Sequence, residues 1–176
     1  MEQTIRNDLP QKYSKGVVVI HWITALLIIT LFPLGKYMAG LEPSQKMGMI
    51  KAHAILGMIV FILTLIRSWM FFKTPRPAHL NTGSKLNDQL ATGIHNIFYF
   101  LLFGLSVSGI ATMLLGSYGN ALISGNPTLI QNNAEILPLK GHGIMAMILM
   151  ILLVMHVAGV IKHYLVKKEN TLKRIS

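Results

Sequence analysis

GHGIMAMILMILLVMH, residues 141–156, places an imidazole at each end of thirteen residues that carry neither a charge nor a hydroxyl. As a helix this stretch is about 21 Å long from His142 to His156, at 1.5 Å per residue. Fourteen residues at about 100° each come within about 40° of whole turns, so both histidines face one way. A rod this apolar belongs in a hydrocarbon environment, and the rest of the chain agrees. Gly16–Gly35 and Ala52–Ile66 carry no charge, and Gln89–Ala134 is the longest uncharged run. Gly141–Ile161 closes the set. A spanning helix needs about 20 mainly apolar residues. The pattern predicts an all-α integral membrane protein with four transmembrane helices, at about 16–38, 48–72, 90–115 and 140–165.

Composition supports this. Charged residues are 12% of the chain and hydrophobic residues 52%, with a mean hydropathy of +0.54. A soluble domain of this size needs more polar surface. The third apolar run outlasts one helix, and its Gly-, Asn- and Pro-rich tail GSYGNALISGNPTLIQNN reads as a loop. The first apolar run is too long for a cleaved leader, and no small-residue cleavage site follows it. With no cysteine, the chain supplies no disulfide, thiolate-held zinc or iron–sulfur cluster.

The net charge of +10 is an orientation signal and argues no nucleic-acid partner. With the N-terminus in the cytoplasm, twelve basic residues fall inside: Arg6, Lys12, Lys15, Arg67, Lys73, Arg76, Lys85, Lys162, Lys167, Lys168, Lys173 and Arg174. Four fall outside: Lys36, Lys46, Lys51 and Lys140. This is the positive-inside bias, and it places both termini in the cytoplasm. The inner surplus also suits anionic lipid. Residues 39–47 read as a short outer loop, 73–89 as a basic inner loop and 116–139 as a longer outer loop. Short connections favour a single up-down four-helix bundle spanning residues 1–176.

Of seven histidines, six fall in or at the end of a predicted span: His21, His53, His95, His142, His156 and His163. His79 lies in a loop. Ionisable groups in a bilayer are costly and usually face the bundle interior with a function. Depth sorts them into two layers, His53 with His142 outside, and His21, His156, His95 and His163 inside. Zinc wants about four ligands at one site, and the outer layer offers two. A proton relay would include Asp or Glu, and none lies inside a span. A haem iron needs two axial ligands, which a pair of imidazoles in each layer can supply. Gly57, Gly143, Ala158 and Gly159 sit near these histidines, where small residues admit a flat macrocycle or simply pack helices.

Several stretches resemble the bacterial cytochrome b561 family, related to cytochrome b subunits of nickel hydrogenases and formate dehydrogenases. They are YSKGVVVIHW, IKAHAILG, LIRSW, GIHNIFYFLLF, GHG with VMH, and KHYLVKKENTLKRI. The resemblance implies two stacked b haems, the outer one on His53 and His142 and the inner one on His21 and His156. It leaves His95 and His163 as candidates for quinone contact. Arg67 matches a family arginine and suits a haem propionate, and Lys51 is a candidate for the same task outside. The implied function is electron transfer between an outer donor, superoxide or a redox protein, and ubiquinone. The alternatives are a cytochrome b anchor for a dehydrogenase or hydrogenase, and a histidine-lined zinc permease. A homodimer is compatible with either redox role.

Overall fold

Four long helices carry the chain back and forth. The computed structural model describes residues 12–74, 85–130, 136–166, 168 and 170–176. The long helices are α1 (Lys15–Ala39), α2 (Pro43–Lys73), α3 (Lys85–Leu115) and α5 (Leu137–Leu165), with a short α4 (Tyr118–Ser124) between the last two. Each long helix contains a stretch apolar enough to cross a membrane. No strand occurs among the described residues. His79, Pro75 and Pro77 lie outside them.

The helices begin earlier than hydropathy alone predicts, for a chemical reason. Pro43 opens α2, and Glu42 and Gln45 form a capping box in front of it. Pro138 stands in the first turn of α5. Proline suits the first helical turn, where its missing N–H loses no bond. The expected outer loop at 39–47 therefore shrinks to a tight turn around Gly40, whose N–H bonds the Tyr37 carbonyl at 3.2 Å.

The segment read as a loop after residue 115 is partly helical, which corrects the expectation for 116–139. Gly125, at φ +67°, ends α4 and donates its N–H to Ala121. Asn126 then accepts from the Thr128 N–H and opens a 3-10 turn at Pro127–Leu129. The Gly and Asn residues are thus helix ends rather than simple loop formers. Gly116 makes the break from α3 possible, because a Cβ there would lie 2.8 Å from the Thr112 carbonyl oxygen. α4 is pinned by buried Tyr118 and Ala121, and burial pushes the Tyr118 phenol above its ordinary range.

α1 packs on α2 and α3 on α5, and α2 joins the pairs by meeting α3. Gly104 lets α5 come close, since a Cβ there would meet the Met145 sulfur at 2.7 Å. Such close approach is how membrane helices associate when burial from water offers little. The central core is Val60, Leu101, Leu102 and Leu149, with Leu27, Ile28 and Leu31 from α1 packed against it. A second cluster, Ile50, Tyr118 and Ile136, sits beneath α4. Outward-facing Leu26, Phe100 and Val154 are exposed, as lipid-facing side chains are. Tyr13 donates its N–H to the Arg174 carbonyl at 3.1 Å, so these two residues mark one end of the bundle, the terminal end. The Gly40 turn and α4 form the far end.

Candidate cofactor sites

A seam of residues along α2 positions the polar groups. Lys46, Ile50, His53, Gly57, Val60, Thr64 and Arg67 follow one another at steps of three or four, the spacing of one helix face. Four of them, Lys46, Ile50, Val60 and Thr64, are buried. Polar groups sit toward both ends of this seam, and the apolar Val60 lies seven residues from both His53 and Arg67. α5 repeats the scheme, with Leu149 buried midway between His142 and His156.

At the far end, the His53 and His142 rings face each other with centroids 6.1 Å apart at 64°. His142 Nδ1 lies 3.0 Å from the Leu105 carbonyl and 3.1 Å from Ser108 Oγ. A carbonyl only accepts, so Nδ1 holds the proton and donates it. Nε2 then keeps its lone pair, the arrangement that metal-ligating histidines show. His53 Nδ1 is buried and has no hydrogen-bond partner. Gly35 faces His53, where a Cβ would lie 3.2 Å from Cε1, and Gly109 faces His142 in the same way at 3.5 Å.

At the terminal end, His156 packs edge-on against His95 with centroids 5.4 Å apart and against Phe98 at 5.7 Å. His21 lies within electrostatic reach of Arg67, His156 and His95. The Arg67 guanidinium stands 5.5 Å from the Tyr99 ring centre, a cation–π contact. Beside it, a cavity of about 210 Å³ is lined by Ser68, Phe71, Phe72, Asn96 and Tyr99.

The two levels form a repeat on every long helix. His21 and Gly35 on α1 stand fourteen residues apart, as do His53 and Arg67 on α2, His95 and Gly109 on α3, and His142 and His156 on α5. Fourteen residues amount to about 21 Å of helix.

These residues fit a haem at the far pair. One metal between two imidazoles, with metal–nitrogen bonds of about 2 Å, holds the ring centres roughly 6 Å apart, close to the His53–His142 spacing. A Cβ built on Gly57 or Gly143 meets nothing within 4 Å, which leaves open space beside both histidines. Zinc fits less well, because no group of three or more His, Cys, Asp or Glu among the described residues is placed to hold an ion.

Comparison with known proteins decides the family. The model for prokaryotic cytochrome b561 matches residues 12–176. The chain belongs to the prokaryotic cytochrome b561 family. Relatives of this cytochrome include cytochrome b561 homolog 2 of Escherichia coli K12, 26% identical over 96% of this chain and 93% of that protein. A protein named "Probable superoxide oxidase CybB" in Yersinia pestis is 27% identical over 94% of this chain and 96% of its own length. Cytochrome b562 of Cereibacter sphaeroides is 23% identical over 93% and 94% respectively. Membership brings haem b and electron transport, and with four membrane-crossing helices it makes this a multi-pass bacterial membrane protein.

Of the residues expected from sequence, the fold brings His53 to His142, and it gathers His21, His95, His156 and Arg67. His163 lies half-buried seven residues past His156, on the same side of α5. Lys51 is exposed, and the buried lysine of the far end is Lys46, at 5% exposure. Sequence reasoning set Lys46 only among the four outer lysines, and it missed Ser108, Gly35 and Gly109. The fourteen-residue spacing from His21 and His95 was the available signal for both glycines.

Proposed function

We propose that this cytochrome holds two b haems at the two levels and passes electrons from superoxide to ubiquinone. His53 and His142 hold the far haem, and His21 and His156 the terminal one, within one domain spanning 1–176. The terminal end faces the cytoplasm of the inner membrane, in line with the basic bias. The observation that carries this reading is the fourteen-residue repeat, which offers imidazoles at both levels on one bundle. The relative named as a probable superoxide oxidase supports the choice of donor.

Each haem supplies a one-electron couple when bound. The chain's own residues do the rest. Leu105 and Ser108 hold the His142 ring by its Nδ1 and leave the Nε2 lone pair for a metal. Val60, Leu101, Leu102 and Leu149 separate the two levels with buried apolar packing. Arg67 offers a guanidinium to a carboxylate at the terminal level. His95 and His163 supply imidazole nitrogens for proton delivery near the cytoplasmic surface. Two superoxide ions give two dioxygen molecules, and ubiquinone takes up the two electrons with two protons to become ubiquinol.

The test uses purified protein with no partner. Pyridine haemochrome should give two b haems per chain, and superoxide should drive ubiquinone reduction. A protein that is red but inert without a dehydrogenase or hydrogenase would instead be an anchor subunit. A colourless protein that binds zinc would overturn the redox reading altogether.

A further inference from the structure

Lys46 is buried to 5% exposure, and no carboxylate among the described residues reaches it. It stands in the first turns of α2, whose N-terminus carries the positive end of the helix dipole. Both features disfavour a cation. Buried charges persist in proteins when paired, and Glu42, the described acid nearest in sequence, is exposed and engaged in the capping box with Gln45. Lys46 also shares the inward seam with His53. Seven residues separate them, about two turns and roughly 10 Å of helix.

We propose that Lys46 receives an anionic oxygen group at the far imidazole pair. That group comes from the carboxylate arms of the macrocycle held there, or from a small oxyanion reaching the same end of the bundle. The height suits the first source: a macrocycle held by His53 and His142 would bring carboxylates that Lys46 could receive. This inference rests on the two-haem reading above. Lys51, one position beyond buried Ile50, is exposed and off the seam, so it serves as the control.

The experiment compares wild-type holoprotein with Lys46→Gln, Lys46→Arg and Lys51→Gln, reading haem content, redox titration and the rate of oxidation of superoxide against ionic strength. If the carboxylate arm is the partner, K46Q shifts the far haem's midpoint potential downward or loses that haem. The terminal haem is unmoved, and K46R restores the wild-type curve. If a small oxyanion is the partner, both potentials hold while K46Q slows superoxide oxidation several-fold and flattens its salt dependence. K46Q that matches wild type and K51Q in all three readouts overturns the proposal. Should K46Q lose both haems, Lys46→Met is read in its place, since it removes the charge and any need for a partner. Wild-type protein with fewer than two haems sinks the two-haem reading instead, and that result is in hand before any variant is made.

Discussion

The far and terminal levels use the same side chain to different ends. At the far level two half-buried imidazoles meet, and one of them is held by Leu105 and Ser108. Among the described residues no third histidine joins them. At the terminal level three histidines and an arginine share the space, His95 is exposed, and a cavity opens alongside. A ligand pair with one ring held in place by its Nδ1 suits electron transfer alone. A level with more imidazoles than one iron uses has groups left for protons. Under the proposed function, electron entry belongs to the far level and proton-coupled chemistry to the terminal one.

The largest effect that could break this comparison is at the partner of His156. His21→Ala should remove the terminal haem, while His95→Ala should keep it and slow quinone reduction by about 10²-fold, the low end of what a general acid contributes. Haem content and steady-state turnover of the two variants decide it. Haem loss in His95→Ala with full loading in His21→Ala would reverse the two roles. Next, Arg67→Gln should lower the terminal haem's potential and leave the far one in place, measured by redox titration. An equal shift at both levels would show that Arg67 does not belong to one level. The smallest effect is at Ser108. Ser108→Ala leaves the Leu105 carbonyl as the remaining acceptor for His142 Nδ1, so haem retention at the far level should weaken by no more than about 10-fold, the low end for such outer partners. A dilution-driven haem-transfer assay would measure this, and loss confined to the terminal level would contradict it.

Much of this architecture is legible in the amino acids. Uncharged runs of membrane length give the four helices, and the depth of each histidine gives the two levels. What stays hidden has physical reasons. Pro43 and Pro138 resemble loop residues until their place in a first helical turn is known. α4 is too short to show a period, and its Gly and Asn caps read as loop signals. Gly35, Gly109 and Ser108 look like ordinary small residues of packed membrane helices. Lys46 looks like a lysine that reaches to the membrane surface, and only its burial in the fold separates it from Lys51. The inner partner of His156 stayed open because depth alone leaves His21 and His95 equivalent.

In the two-haem reading α5 is a ruler whose two histidines mark the two haem levels. Haem stoichiometry with redox titration on His142→Ala and His156→Ala reads this out. Each variant should keep one haem per chain, with a different midpoint potential remaining in each. Retention of two haems in either variant, or loss of the same haem in both, would contradict it.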